Sequence, residues 1–174
     1  MRVDVHCHYY PGAYIDRLEH LGRAVRRMTD SVPGFSFALT IDQQIELLDA
    51  AGIQAQVLSV GTQPPYFADQ EQAVTTARLA NDLYADLCGQ HRGRFYAFGA
   101  VPLPHVDAAL TELERCLDGL GGVGIGLGSS VLGQPLDSPA FDAFFAELDR
   151  RATPVFIHPV GAGGGLNSGD FGLT

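Results

Sequence analysis

Lysine is missing altogether: the 174 residues carry 11 basic side chains, and all are arginine. A Schiff-base lysine, a phosphate-loop lysine and a lysine bridge between metal ions are thereby excluded. Cysteine is scarce, with only Cys7, Cys88 and Cys116, and no CxxC pair occurs. An odd, widely spaced set reads as reduced thiols rather than a disulfide frame, and none lies in a recognisable nucleophile motif. No apolar run approaches the roughly 20 residues of a membrane helix. The N-terminus enters a strand-like run at once, without the apolar stretch of a signal peptide. Positive charge is short as well: 20 acidic against 11 basic residues give a net charge of −9. A net anion is a poor partner for nucleic acid or an anionic membrane. The absences together point to a cytoplasmic chain with neither partner.

What is present is a globular composition, 46 % apolar and 18 % charged, of a size that suits one domain. Strand and helix signals alternate. Val3 to His8 reads as a strand. An excursion follows at about 12–38, with a helix over Tyr14 to Leu21 and a loop or hairpin over Arg23 to Phe37. Thr40 and Gln43 have the spacing of a capping box, and Ile41, Ile45 and Leu48 follow helical spacing behind it. Further strands are predicted over Gln56 to Val60, Phe95 to Val101, Val123 to Leu127 and Pro154 to His158. Helices are predicted over residues 70–89, from Val106 to Leu120 and from Pro139 to Arg151. Crossovers of this length demand parallel strands. Two architectures fit, an open doubly wound sheet or part of a (β/α)8 barrel. A whole barrel takes about 250 residues, so five units in this chain leave three unaccounted for.

His6-Cys7-His8 ends the first strand. Strand alternation points His6 and His8 to one face and Cys7 to the other. Two such imidazoles can converge on a zinc, manganese or iron ion, or can be ordinary surface or core residues. Val155-Phe156-Ile157-His158-Pro159 carries a third histidine at the end of an apolar strand. It too can be a ligand, or be satisfied by backbone. In a parallel sheet all three histidines share the carboxyl rim. Gly122 to Gly128 alternates glycine with apolar residues, yet no window fits GxGxxG and no helix follows directly. Glycines at that spacing give room on one face of the strand. His105 reads as part of a helix start, and His20 and His91 as exposed. Tyr9 and Tyr10 can line a pocket or pack. One of Arg23, Arg26 and Arg27 can hold a substrate carboxylate through a bidentate contact, although a solvated charge cluster is the plainer account.

Val3-Asp4-Val5-His6-Cys7-His8-Tyr9-Tyr10-Pro11 resembles the opening of the amidohydrolase superfamily. More narrowly it is similar to the amidohydrolase-related subgroup that contains aminocarboxymuconate-semialdehyde and γ-resorcylate decarboxylases. Gly99 to Pro104, the stretch from Gly122 through Gly133 to Phe141, and Pro154 to Pro159 continue the likeness. The last two segments look closest to 6-methylsalicylate decarboxylase-like members. The resemblance implies an α/β fold, a metal-dependent (β/α)8 TIM barrel. Here we expect it truncated to about five β/α units, as a single incomplete domain over residues 1–174.

The resemblance also implies one divalent metal, zinc most often and manganese in some members, with His6, His8 and His158 matching three of its ligands. The family's catalytic acid/base histidine follows strand six and its metal-binding aspartate follows strand eight. Both are expected beyond Thr174. The implied activity is non-oxidative decarboxylation of a small aromatic or unsaturated carboxylic acid, with Tyr9, Tyr10 and Arg26 as expected substrate contacts. A metal-dependent hydrolase of an amide, ester or lactone is the alternative, because the same ligands serve both. A third reading is an inactive fragment that associates through an exposed strand edge. Family members commonly form dimers, which leaves a homodimer open.

Overall fold

The computed structural model describes residues 1–26 and 40–160. Most of the stretch read as a loop or hairpin after Arg23, and the glycine loop at Gly161 to Gly165, lie outside the described residues. Strand β1 (Val3–His8) is followed by helix α1 (Gly12–His20), α2 (Ile41–Ala50), β2 (Ala55–Ser59) and α3 (Gln70–Gln90). Then come β3 (Phe95–Gly99), α4 (Val106–Glu114) and β4 (Gly124–Gly128). A small hairpin, β5 (Ser130–Val131) with β6 (Gln134–Pro135), precedes α5 (Asp142–Arg150) and β7 (Val155–His158).

Local chemistry explains the helix starts. Thr40 Oγ1 accepts from the Gln43 N–H at 3.2 Å, and Gln43 Oε1 accepts from the Thr40 N–H at 2.9 Å. This is the anticipated capping box of α2, which satisfies two donors that the first helical turn leaves open. Asp69 caps α3 through the Gln72 N–H at 2.8 Å, and Ser138 precedes a short 3-10 turn, Pro139–Phe141, that leads into α5. The predicted unbroken helix to Leu120 is corrected. α4 ends at Glu114 and continues as a π-helical turn, Arg115–Gly119. There Cys116 Sγ occupies the space left by two glycines: a Cβ on Gly99 would lie 2.4 Å from it, and one on Gly122 2.6 Å. The hairpin is a further element that the sequence reading did not anticipate. Its turn runs through Leu132 and Gly133, both at positive φ (50° and 84°), the conformation that a tight hairpin turn requires.

The five long strands are parallel and stand in the order β1-β2-β3-β4-β7. Strictly sequential order decides between the two architectures. A doubly wound sheet reverses at a switch point, whereas a barrel adds each strand on the same side of the last. The sheet is also strongly curled. Neighbouring strands are spaced by about 4.8 Å, so the edges of a flat five-stranded sheet lie about 19 Å apart. Yet the rings of His6 on β1 and His158 on β7, at opposite edges, have centroids 5.1 Å apart. The molecule is a section of a (β/α)8 barrel.

Two apolar clusters fill the space between sheet and helices. Tyr14, Leu18, Leu48, Leu58, Tyr84 and Phe95 anchor one. Leu103, Leu113, Ile125, Leu127, Phe141 and Phe144 anchor the other. The inner face of the sheet carries Phe98 and Phe156, stacked 5.5 Å apart at 4°. The β4 glycines make room for this pair, as anticipated: a Cβ on Gly124 would sit 3.1 Å from the Phe98 ring and 2.5 Å from the Pro154 carbonyl. Val3, Val5, Val155 and Ile157, on the two edge strands, are exposed.

One buried polar group ties the layers together. Asn81 on α3 accepts from the Ala100 N–H at 2.8 Å and donates to the Ala100 carbonyl at 2.9 Å. The same side-chain nitrogen donates to Glu112 at 2.7 Å. Glu112 is almost wholly buried and also accepts from Arg115 at 2.7 and 2.9 Å and from Arg78 at 3.3 Å. Asn81→Leu strands the Ala100 N–H and carbonyl together, while Glu112 Oε1 keeps its bond from Arg115. A loss of about 3 kcal/mol is expected, because each buried polar group left unpaired costs about 1–3 kcal/mol. Urea denaturation of the variant measures it.

Candidate metal centre

The site begins with the register of β1 against β2. Asp4 pairs with Gln56, but Cys7 pairs with Leu58, so Val5 and His6 together face Val57. This bulge re-aims the end of the strand. From His6 onward the expected alternation holds. Cys7 turns outward into the core, within 3.5 Å of the Gln44 side chain on α2. His6 and His8 turn inward, with their Nε2 atoms 3.2 Å apart. His158 enters from β7, its ring centroid 4.4 Å from that of His8. Each of the three histidines offers a nitrogen within 4.8 Å of the others.

The donor set fits a divalent ion. Two nitrogens bound to one tetrahedral ion at about 2.0–2.1 Å stand about 3.3 Å apart, close to the His6–His8 separation. His158 Nδ1 lies 2.7 Å from the Pro159 carbonyl. A carbonyl only accepts, so Nδ1 carries the proton and Nε2 keeps its lone pair. Burial pushes His8 down to about 4, aided by the neighbouring His158 and His6. Burial also lowers His158, opposed by its bond to Pro159 and aided by His6. Both rings are therefore neutral at pH 7, the form that binds a metal.

Other contacts hold the cluster in place. Gly61, at φ 47°, brings the loop after β2 against His8: a Cβ there would lie 2.5 Å from the imidazole. Ser129 grips the His158 segment at two points. Its N–H donates to the His158 carbonyl at 2.8 Å, and its Oγ accepts from the Val160 N–H at 3.1 Å. Phe156 packs on His6 with ring centroids 5.3 Å apart. Sequence reasoning missed Gly61, Ser129 and the aromatic pair. A glycine directly after a predicted strand was the one signal available for Gly61.

The remaining candidates divide. Tyr10 stands beside His8, with centroids 6.3 Å apart, and its hydroxyl meets Thr62 Oγ1 at 3.1 Å. Tyr9 packs against the core, and its carbonyl accepts from Tyr84 at 2.6 Å. Arg26 is engaged by Asp16 and Glu19 on the exposed side of α1. Arg23 donates to the carbonyls of Pro64 (2.7 Å) and Tyr66 (2.6 Å) and lies over the Phe67 ring at 4.4 Å. It bolts down the loop after β2. Arg27 lies outside the described residues. His105 makes a 3.0 Å contact with the Phe67 carbonyl at the start of α4. Burial pushes the thiols up, Cys7 to about 12 and Cys88 and Cys116 to about 11. That leaves them protonated and poor nucleophiles at neutral pH. No described helix is long and apolar enough to cross a membrane.

Comparison with known proteins bears on the fold and the family. The γ-resorcylate decarboxylase of Rhizobium radiobacter is 35 % identical over 159 residues, which cover 87 % of this chain and 44 % of that protein. The 6-methylsalicylic acid decarboxylase of Aspergillus aculeatus is 32 % identical, over 91 % of this chain and 48 % of its own length. Among solved structures, a dihydroxybenzoic acid decarboxylase from Polaromonas, with bound manganese and the inhibitor 2-nitroresorcinol, superposes with a TM-score of 0.73. It is 26 % identical, over 97 % of this chain and 51 % of that one. The chain thus spans about half the length of the curated relatives it matches. A family model described as amidohydrolase matches residues 3–170, and the chain belongs to the amidohydrolase family.

Proposed function

We propose that the protein is a metal-dependent, non-oxidative decarboxylase of a small aromatic or unsaturated carboxylic acid. The observation that carries this reading is the convergence of His6, His8 and His158 on the inner face of the barrel section. The decarboxylases among its relatives support the choice of reaction. His6, His8 and His158 would hold the ion, zinc or manganese. When bound, it supplies Lewis acidity toward the substrate's carboxylate and a neighbouring oxygen.

The chain itself shapes the pocket. Phe98 and Phe156 form a flat apolar floor beside His6, suited to an aromatic ring. Tyr10 forms a wall next to His8, and Gly126 and Gly128 present no side chain. The family's histidine after strand six and aspartate after strand eight belong to the part of the barrel that this chain does not span. The three free thiols suit a reducing compartment, and we assign the protein to the cytoplasm.

Metal analysis of the full-length protein should give about one divalent ion per chain, and the double variant His6→Ala/His8→Ala should lose it. Full retention of metal in that variant would sink the ligand assignment. Salicylate- and resorcylate-type acids should release CO2, followed by coupled assay of bicarbonate. Hydrolysis of a lactone or amide panel without CO2 release would instead make the protein a hydrolase.

A pH dependence follows for the metal-free protein. His8 is neutral in the fold down to about pH 4, whereas an unfolded histidine takes up its proton near pH 6.5. The unfolded chain therefore binds more protons in this window, and stability falls as pH drops from about 6.5 toward 4. Thermal melts at successive pH values should show this loss, and His8→Gln should flatten it.

A further inference from the structure

The bulge in β1 leaves a backbone group that β2 does not serve. The His6 N–H donates instead to Asp4 Oδ1, two residues earlier, at 3.0 Å. Asp4 Oδ2 accepts from Gln56 Nε2 at 2.7 Å. Gln56 Oε1 accepts from Gln44 Nε2, and the same nitrogen reaches Cys7 Sγ at 3.5 Å. A carboxylate, two amides and a thiol thus tie both ends of the bulge, Asp4 and Cys7, to β2 and α2. Asp4 Oδ2 takes the Gln56 Nε2 donor, which leaves Gln56 Oε1 to accept from Gln44 Nε2, so the Asp4 side chain sets which way both amides point.

We infer that Asp4 is a positioning residue for the histidine cluster: its carboxylate holds the β1 bulge that aims His6 at His8 and His158. It acts through the backbone of His6 rather than through the ring. A bulge is stable only where its unpaired backbone group finds a partner. Without the Asp4 acceptor, β1 can relax toward regular register, and a one-residue shift sends a side chain to the opposite face of the sheet. His6 would then leave the cluster, although the core behind Cys7 could stay packed.

The inference rests on the metal reading above for one of its two readouts, and the second is independent of it. Asp4→Ala and Asp4→Asn are compared with the unaltered full-length protein. Co2+ titration followed by visible absorption reads the metal. Hydrogen–deuterium exchange by mass spectrometry reads the His6 amide. Asparagine keeps Oδ1 as an acceptor, and Gln56 and Gln44 can turn their amides end for end to meet its new donor.

Asp4→Ala is expected to weaken Co2+ binding by about tenfold or more, the range for groups that orient a ligand from behind, and to speed exchange at His6. Asp4→Asn is expected to restore most of both. Unchanged binding and exchange in Asp4→Ala would overturn the inference, as would equal losses in the two variants. If the unaltered protein binds no Co2+, the metal reading fails by itself. The His6 exchange rate then decides alone: faster exchange in Asp4→Ala upholds the role of Asp4, and an unchanged rate overturns it.

Discussion

Everything at the site depends on the curl of a parallel sheet. Parallel pairing sends the carboxyl ends of all five long strands to one rim. The curl then carries two strands that are not neighbours, β1 and β7, to within reach across the barrel interior. A flat sheet with the same residues would leave His6 and His158 at opposite margins, too far apart for any common ion. The curl is compatible with close packing because β4 is glycine-rich on its inner side. Gly124 yields the space that the Phe98 ring occupies, and Phe98 in turn stacks on Phe156 beneath the histidines.

The site is held from behind by groups that do no chemistry. The loop after β2 is fastened by Arg23 through two carbonyls and by Tyr14 through the Gln63 carbonyl at 2.7 Å. That fastening keeps Gly61 against His8. The hydroxyl of Tyr66, in the same loop, accepts from the Gly128 N–H at 3.0 Å, which joins the loop to β4. Ser129, the next residue, then clamps the segment after β7. A chain of short hydrogen bonds therefore runs from β2 through β4 to His158. Such support matters because a metal site tolerates little error in the placement of its ligands.

Arginine does the fastening throughout, in a chain without lysine. Arg23 holds a loop by its carbonyls, Arg26 bridges two carboxylates on α1, and Arg115 and Arg78 neutralise the buried Glu112. The planar fork of guanidinium suits each of these tasks, because it can serve two acceptors at fixed angles. The two described members of the arginine cluster in the first excursion, Arg23 and Arg26, are both engaged by protein groups.

Much of this was legible from residue order. Strand-helix alternation, the capping box at Thr40, the HxH pair with Cys7 turned away, and the histidine ending an apolar strand all follow from local periodicity, which depends on neighbours a few residues away. The π turn after α4, the hairpin at Leu132 and the bulge in β1 do not, because each is set by packing or register against a distant segment. The sequence by itself determined that three histidines would end parallel strands on one rim, since alternation and crossover length are local properties. Only the tertiary structure decided that they meet. Strand order, curl and the one-residue bulge held by Asp4 fix which faces turn inward, and each depends on pairing between strands well separated in the chain, from Phe98 with Gly124 to Val3 with Ala55.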